Sequence, residues 1–437
     1  MAAYAKDLIA QSLQDYKVSR LQLKRKEINR YLDFYTGTSI FQYVEPYFDI
    51  ESFQEVPVYQ MNITKKFVNK LSRIYTLGAT RNVNKKYEDL TKHKNTSFKH
   101  IERMTRLLGS FACEISFDEV LGFKYNPIYF FIPMFDDSDP FNPIAITYPL
   151  ANVDDPAIAL HNQPFRYLDD EWDIICDETG TIVKEIYHGL GRIPVAFFHK
   201  EHQIDSFFVE GAMDIINCNQ HIDITLTELQ LGLRFQMFGQ PYATGVPEAG
   251  KITRSGTDTI ISLPEGATYG IASTSINIQS VIDALKFQIE LVALSNHMYV
   301  QFAQDGGETP SGIALQIKDL EGFEDFKDDI ELWRKYEEGT YEIERLMAEQ
   351  QGIMLPEKFG VDFEEPEYPR TAQEQIMMDD WALKNGQTTR AKIMVRDNAD
   401  LSIKQAEKII EDNMSINDEQ APTIPLPLQD NQEESEE

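Results

Sequence analysis

The sequence predicts an α+β fold in which a β-rich stretch separates two helical regions. Apolar residues recur at steps of three and four through the first 108 residues and again after Gly211, which is the period of amphipathic helices. Between residues 110 and 199, Val, Ile, Phe and Tyr cluster in short runs that Pro, Gly and Asp interrupt, and a turn at residues 178–180 predicts a hairpin. Hydrophobic residues make up 42% of the 437 residues, so we expect a folded chain.

The first quarter of the chain predicts three helices. The first covers residues 3–35 and ends at Gly37, because glycine readily adopts the left-handed conformation that closes many helices. The second begins at Asn62, a good N-cap residue, and runs to Gly78. The third covers residues 97–108.

Two helices joined by a β insert are predicted in the middle of the chain. An apolar stripe at helical spacing covers residues 211–237, and a second helical pattern covers residues 278–300. Between them, residues 259–263 and 267–272 flank a Pro-Glu-Gly turn at residues 264–266, which predicts a β-hairpin.

The C-terminal part predicts the longest helix of the chain. It covers residues 313–351, and Gly322 and Gly339 are the positions where it could bend. An extended stretch is predicted at residues 361–363. Three shorter helices are predicted after it, at residues 372–384, 389–395 and 402–413. Residues 415–437, rich in Pro, Gln, Asp and Glu, predict a disordered acidic tail.

The charge of the chain is uneven. With 41 Lys and Arg against 71 Asp and Glu, the formal charge is −30, which disfavours gripping nucleic acid or an anionic membrane surface. Residues 1–106 nevertheless hold 19 basic and 11 acidic side chains, and the remainder holds 22 and 60. This asymmetry favours association between copies, since a basic face of one copy can meet an acidic face of another. Charged faces that are merely solvated are the alternative interpretation.

Few residues suggest reactive chemistry. Cys113, Cys176 and Cys218 have no spacing typical of a disulfide framework or a zinc site. The acidic run at residues 136–139 and the His-Lys-Glu-His run at residues 199–202 are more typical of surface turns than of metal sites. No phosphate-binding glycine loop occurs. We therefore predict no metal, no cofactor and no enzymatic activity.

Five segments occur in the order that one protein family shares. They are Tyr31-Leu-Asp-Phe-Tyr-Thr-Gly37, the helix from Asn62 to Gly78, Leu190-Gly-Arg-Ile-Pro194-Val-Ala-Phe, Ser311-Gly-Ile-Ala-Leu315, and the helices between residues 386 and 413. In these segments the chain resembles the portal, or head–tail connector, proteins of tailed bacteriophages, over roughly residues 20–414. It departs from the family's pattern in the residues after Gly37 and in a short crown portion.

The resemblance implies a portal-type fold: an α/β wing, a two-helix stem, a small β clip, a long channel helix and a helical C-terminal part, assembled into a ring. The implied segments are 1–207 (N-terminal part of the wing), 208–237 (first stem helix), 238–276 (clip), 277–300 (second stem helix), 301–312 (tunnel loop), 313–352 (long channel helix), 353–414 (wing and short crown) and 415–437 (acidic tail).

The resemblance also implies where function lies. The tunnel loop would present Gln301, Gln304, Asp305, Glu308, Thr309 and Ser311 to a central DNA channel. The clip residues Lys251, Arg254, Asp258 and Glu265 would dock the packaging motor or an adaptor. Two basic clusters would contact a neighbouring subunit or the capsid: Lys24, Arg25 and Lys26, and Lys65, Lys66 and Lys70.

The partners implied are further copies of the chain in a ring of twelve, double-stranded DNA that passes without sequence specificity, the terminase large subunit, the major capsid and scaffolding proteins, and a head-completion or tail adaptor protein. No membrane partner is expected. The ring would assemble in the host cytoplasm and reside at one vertex of the virion, serving genome packaging and ejection.

Two alternatives come from other classes of protein. One is a structural adaptor or scaffold of a virion that conducts no DNA. The other is a cytoplasmic enzyme that uses carboxylates of the long helix, namely Asp325, Asp328, Asp329 and Glu331, although such spacing is more typical of the solvated face of a helix.

Overall fold

The structure is a computed structural model that describes residues 2–48, 57–136, 138–150, 164–238, 240–244, 266, 268–272, 277–300, 320–364, 372–398 and 401–419. These residues form a mixed α+β fold, as the sequence predicted. The chain divides into two compact units. The first comprises residues 1–305 and 318–366, and the second comprises residues 306–317 and 367–437.

The N-terminal region contains two helices where the sequence predicted one. Helix α1 (Ala2–Lys17) and helix α2 (Ser19–Thr36) are separated at Val18, whose backbone is extended (φ −69°, ψ 137°). The break lets the two helices bury different partners, since Ser12 of α1 donates a 3.0 Å hydrogen bond to Thr147 of a sheet whereas α2 packs on other helices. The predicted stop at Gly37 is confirmed: its φ is 80° and its N–H donates to the carbonyl oxygen of Asp33.

Short helices complete this region. They are α3 (Phe41–Val44), a 3₁₀ turn (Glu45–Tyr47), α4 (Ile63–Leu71), α5 (Lys85–Leu90) and α6 (Lys94–Leu108). The predicted N-cap is confirmed, because the Asn62 side chain accepts the N–H of Lys65. Helix α4 ends at Leu71 rather than near Gly78. The backbone N–H groups of Ile74 and Tyr75 instead donate to the buried carboxylate of Glu102, which ends the helical pattern.

Two antiparallel sheets form the predicted β-rich region. The first has the strand order β3-β2-β9 and contains β2 (Ser110–Asp118), β3 (Gly122–Ile128) and β9 (Val195–His199). The second has the order β4-β5-β6-β7-β8 and contains β4 (Ile132–Asp136), β5 (Asp139–Pro149), β6 (Phe165–Leu168), β7 (Trp172–Cys176) and β8 (Ile182–Tyr187). The predicted hairpin turn is confirmed between β7 and β8, where Gly180 donates to the carbonyl oxygen of Asp177.

Two helices and a β ribbon follow. Helix α7 (Met213–Phe238) leads into β10 (Gln240–Thr244), which pairs antiparallel with β11 (Thr268–Ala272), and helix α8 (Ile278–Ser295) returns. The predicted second strand of the hairpin is thus present. Its partner among the described residues is β10, which the sequence did not indicate, while the predicted partner at 259–263 lies outside them. Helix α8 stops five residues early because His297 adopts a left-handed backbone (φ 49°) and Met298 donates to Ala293.

The long helix is confirmed over its described part, α9 (Leu320–Gln350), and it continues through Gly322 and Gly339. Strand β1 (Ala79–Arg81) pairs with β12 (Val361–Phe363), which confirms the predicted extended stretch. The first unit's main core lies where α6, α9 and strands β2 and β9 meet, and Trp333 stacks there on Phe198.

The second unit contains helices α10 (Ala372–Lys384), α11 (Arg390–Asp397) and α12 (Ile403–Glu419). A capping box begins α12, since Ser402 and Gln405 bond each other's backbone N–H through their side chains. The prediction of a disordered tail from residue 415 was wrong for its first five residues, which extend α12. Among the described residues, no helix is long and apolar enough to cross a membrane.

Candidate functional site

The feature that best defines a functional region is the segment formed by α7, β10, β11 and α8, here called the helical arm. One hydrophobic cluster holds its two helices together and attaches them to α4. The cluster includes Phe67, Ile215, Ile222, Leu285 and Ala293. The β10–β11 pair follows the C-terminal end of α7 and precedes the N-terminal end of α8. Gln240 lies opposite Ala272, and Thr244 lies opposite Thr268. The arm is therefore a helical pair with a small β ribbon between its helices.

A ladder of buried polar side chains fixes the base of the arm to the extended segment at residues 57–62. Asn219, Asp223 and Thr227 lie at four-residue steps on α7, and each is 0–1% exposed. Their oxygens accept the backbone N–H groups of residues 63, 61 and 59 at 3.0, 2.7 and 3.0 Å. The side-chain oxygens of α7 thus satisfy backbone N–H groups that the carbonyl oxygens of a neighbouring strand would otherwise accept. The sequence analysis missed the ladder, because its polar residues interrupt the apolar stripe without any local motif.

Asp223 is the ionisable member of that ladder. Burial raises the pKa of its carboxyl group to about 7, although the Met61 N–H and the Asn219 amide both favour the ionised form. Glu102, which caps the chain reversal after α4, behaves in the same way, and burial raises its pKa to about 7. The charge of both carboxyl groups therefore changes near neutral pH. Asp223 accepts the Met61 N–H at the base of the arm, and Glu102 accepts the Ile74 N–H after α4, so both contacts depend on pH.

The two flanks of residues 301–319 are held close together. His297 Nδ1, just after α8, lies 2.8 Å from Asp325 Oδ2 in the second turn of the described part of α9. Lys70 of α4 donates a 2.8 Å hydrogen bond to the carbonyl oxygen of Tyr299. On the other flank, Arg106 of α6 pairs with Asp329. The chain therefore leaves the arm and enters the long helix at neighbouring positions on one surface.

A buried ionic cluster anchors the long helix. Lys94 Nζ lies 3.0 Å from a carboxylate oxygen of Glu337 and 2.9 Å from one of Glu344, and all three side chains have no exposed surface. Arg81 also pairs with Glu337, and the Tyr87 hydroxyl donates to Glu344 at 2.7 Å. Burial alone would raise the pKa of Glu337, but the charges of Lys94 and Arg81 lower it to about 2. The cluster has two positive and two negative charges, so it is balanced.

Sequence reasoning missed this cluster. The only signal was that Glu337 and Glu344 lie seven residues apart, on one face of the predicted helix, among its apolar positions. No local pattern identifies Lys94 as their partner.

The outer face of α8 is apolar and exposed. Phe287, Leu291 and Leu294 lie at steps of four and three, and they are 59%, 49% and 65% exposed. Leu285 and Ala293, on the other side of the helix, belong to the buried cluster with α7. The helix is thus apolar on two faces, and within the described part of the chain only the inner face belongs to a hydrophobic cluster. The sequence analysis identified the inner stripe and missed the outer one.

The basic clusters predicted to contact other subunits are partly engaged within the chain. The Lys24 ammonium lies 3.3 Å from the centre of the Phe208 ring, and burial lowers its pKa to about 8. Arg25 donates to the Tyr16 hydroxyl. Lys26, Lys65 and Lys66 are exposed, and Lys70 holds Tyr299 as described above. Intermolecular contacts of these two clusters stay a prediction.

Other predicted site residues are dispersed or lie outside the described residues. Gln301, Gln304, Asp305, Glu308, Thr309 and Ser311 lie outside them, as do Lys251, Arg254, Asp258 and Glu265. The four candidate carboxylates of the long helix do not converge: Asp325 pairs with His297, Asp329 pairs with Arg106, and Asp328 and Glu331 are exposed.

Neither possible metal-binding run forms a metal site among the described residues. The run at residues 136–139 joins β4 to β5, as a turn would, but the prediction of a surface turn is wrong for His199, which is a buried residue at the end of β9. The Asp136 carboxylate accepts the backbone N–H and the hydroxyl of Ser138, at 3.0 Å each. His199 is buried and its ring bonds to Ser110 at 2.9 Å. Within the described residues, no group of three or more His, Cys, Asp or Glu side chains could hold a metal ion.

Comparisons with known proteins add no family assignment. No protein-family model matches the chain, and no curated protein is significantly similar to it.

Proposed function

We propose that this chain is a portal protein of a tailed bacteriophage, and that twelve copies form a ring through which double-stranded DNA enters and leaves the capsid. The observation that carries the proposal is the helical arm with its exposed outer face at Phe287, Leu291 and Leu294. An arm that buries one apolar face within its chain and leaves the other to solvent is suited to packing against the same arm of a neighbour.

Burial of the exposed apolar side chains of α8 would favour association between copies. Burying a large apolar side chain such as Leu or Phe contributes roughly 1.5–3 kcal/mol. Three such residues on each subunit would favour contact at every interface of a ring. If each copy meets the next through two different surfaces, the contacts repeat around an axis, and they close into a ring when the rotation between copies completes a full turn.

The contact between the residues that flank 301–319 supports a channel in that ring. This contact joins His297 and Asp325, next to the base of the arm. In the proposed ring this segment faces the axis and narrows the channel. The acidic composition suits this role, because few Lys and Arg contacts would hold the DNA phosphates in place. Repulsion from the wall would extend only about 8 Å at physiological salt.

The remaining roles follow from the proposed assembly. The insert between α7 and α8 would dock the terminase large subunit during packaging and a head-completion or tail adaptor protein afterwards. The wing would contact the major capsid and scaffolding proteins. In this proposal the chain acts at the portal vertex of the virion as a conduit and performs no catalysis.

Electron microscopy of the purified full-length chain tests the proposal. We expect negative-stain class averages with a central hole and native mass spectra of a species near twelve subunits. A species far from twelve subunits without a hole would overturn the proposal and favour the adaptor that conducts no DNA.

A further inference from the structure

The helices of the second unit expose most of their large apolar side chains. In α10, Ile376, Met377, Met378 and Trp381 are between 48% and 65% exposed. In the described part of this unit, the only buried hydrophobic residues are two alanines, one in α11 and one in α12. Four large apolar side chains within six residues form a patch of the kind that another segment or molecule covers.

A groove of about 220 Å³ between α10 and α11 adjoins this patch. The apolar part of its lining is Met378, Ala382 and Ile393. The guanidinium of Arg396 on α11 donates two 2.8 Å hydrogen bonds to the carboxylate of Asp379 on α10, one to each oxygen. Such a two-bond contact fixes the orientation of both groups, so it holds the two helices at a defined spacing. The groove is therefore formed within the second unit itself.

The chain continues after α12 with a short apolar segment that lies outside the described residues. Residues 420–428, here called the proline-rich segment, are Gln-Ala-Pro-Thr-Ile-Pro-Leu-Pro-Leu and carry no charged side chain. Proline-rich segments favour the extended polyproline II conformation, which binds with little loss of entropy to surfaces lined by aromatic side chains. Ile424, Leu426 and Leu428 thus match the patch that contains Trp381 in chemistry.

The proline-rich segment is long enough to reach the groove. An extended chain advances up to about 3.3 Å per residue, so residues 420–428 span up to roughly 30 Å. Helix α12 rises about 1.5 Å per residue, so its end at Glu419 lies about 20 Å from Ala406, the buried residue in its first turn. Helix α12 packs against α11, and the Arg396–Asp379 pair joins α11 to α10. The segment can therefore run back along α12 and lie on α10.

The charges on the two sides are complementary. The acidic side chains directly after the proline-rich segment are Asp430, Glu433, Glu434, Glu436 and Glu437, and no basic side chain lies among residues 429–437. Helix α11, which forms one wall of the groove, carries Arg390, Lys392 and Arg396 against a single acidic residue, Asp397. Attraction between such groups acts over about 8 Å at physiological salt.

We propose that the proline-rich segment binds to the groove between α10 and α11 of its own chain. Its aliphatic side chains cover Met377 and Trp381, and the acidic residues that follow lie beside α11. A second copy of the chain is the competing occupant of such a face. The tethered segment is favoured because it is present at a high local concentration and requires no second molecule. The proposal rests on the second unit alone and holds whether or not the chain forms a ring.

Quenching of tryptophan fluorescence by acrylamide tests the proposal on the full-length chain. The three tryptophans are Trp172, Trp333 and Trp381. The signal of Trp381 is obtained as the difference between each protein and the same protein with Trp381→Phe. In the wild type we expect this signal to be shielded, because the bound segment keeps acrylamide away from the indole ring.

Two double variants assign the shielding to the proline-rich segment. In Ile424→Asp/Leu426→Asp we expect the quenching constant of Trp381 to rise about twofold or more, because burying the new charges against an apolar face is unfavourable. Asn431→Asp/Gln432→Asp adds the same charge after the segment and is the matched control. It should be quenched as the wild type is.

A disulfide test distinguishes the chain's own segment from a second copy. In full-length Met377→Cys/Leu426→Cys, we expect oxidation to form a disulfide within one chain, about five times faster than in the control pair Met377→Cys/Ser435→Cys. Non-reducing electrophoresis separates disulfides within a chain from those between chains, and mass spectrometry of the digest identifies the linked residues.

Equal far-UV circular dichroism of the variants and the wild type would show that the helices are retained. Equal quenching of Trp381 in Ile424→Asp/Leu426→Asp and the wild type would overturn the proposal, whether the indole is shielded in both proteins or accessible in both. Disulfides that form only between chains would overturn it as well and would assign the groove to a second copy.

Discussion

His297 Nδ1 lies 2.8 Å from Asp325 Oδ2, and the chain between these two residues includes residues 301–312, which the resemblance assigns to the tunnel loop. One residue follows the last turn of α8 and the other lies in the early part of α9. The contact places the end of the arm beside the first turns of the described part of α9.

Removing the carboxylate of Asp325 should make residues 301–319 more susceptible to proteolysis. In Asp325→Asn, we expect endoproteinase Glu-C to cleave after Glu308 about two to five times faster than in the wild type, because an exposed ion pair contributes about 1 kcal/mol at most. Limited proteolysis followed by mass spectrometry measures the rate. Asp328→Asn, an exposed carboxylate on the same helix, should leave the rate unchanged. Equal rates in both variants would show that the pair does not restrain the segment.

The outer face of α8 should control assembly. In the proposed ring this face lies between subunits, so we expect Leu291→Asp to shift native mass spectra from rings to monomers, because the charge would have to be buried at each interface. The thermal stability of the monomer should change little, since Leu291 is 49% exposed. Val120→Asp, in the turn between β2 and β3 and 90% exposed, is the matched control and should still form rings. Rings of normal abundance in Leu291→Asp would contradict the role given to this face.

Asp223 should make stability depend on pH in a defined direction. Its pKa is about 7 in the folded chain and 3.8 as the ordinary value, so the folded state binds the proton more tightly. The stability that this group contributes is present below pH 4 and is lost as pH rises to about 7. Asp223→Asn cannot lose a proton, so we expect its free energy of unfolding, relative to the wild type, to rise over this window by up to roughly 4 kcal/mol.

The change of the free energy of unfolding with pH is the quantity to compare, rather than its value at one pH. The new amide of Asp223→Asn also faces the Asn219 side-chain NH₂, and this contact destabilises the variant equally at every pH. Denaturant unfolding at several pH values measures it. Asp328→Asn should show the slope of the wild type. Parallel pH curves for Asp223→Asn and the wild type would mean that Asp223 is not the group that titrates.

Lys94 should be among the most sensitive positions in the chain. Lys94→Met leaves Glu337 and Glu344 buried with Arg81 as their remaining cation, and breaking a buried ion pair in this way costs about 3–5 kcal/mol. Urea unfolding followed by tryptophan emission measures this, since Trp333 lies in the same core. Lys92→Met, whose side chain is 68% exposed, should change stability by less than about 0.5 kcal/mol. A comparable loss in both variants would contradict a specific role for the buried cluster.

Features that depend on neighbouring residues were predictable. Gly37 ends α2 and Asn62 begins α4 because capping involves only the residues within one turn. Short stretches of sequence likewise predict the hairpin turn at residues 178–180 and the apolar stripes of α7 and α8. The channel and clip residues assigned from the resemblance lie outside the described part of the chain, so their roles stay predictions.

Features that join distant residues were not predictable. The break at Val18 depends on α1 packing against a sheet formed more than a hundred residues later. The partner of β11 depends on a strand that follows α7 directly.

The sequence by itself determined an α+β chain, the ends of several helices, and a charge that is basic at the start and strongly acidic afterwards. The tertiary structure decided which polar side chains became structural. Lys94, Asp223 and Glu102 look like ordinary surface residues in the sequence, and folding buries them with specific partners 27 to 250 residues away. The physical reason is that burying a charge is favourable only when the whole chain supplies its partner, and no local pattern records that partner.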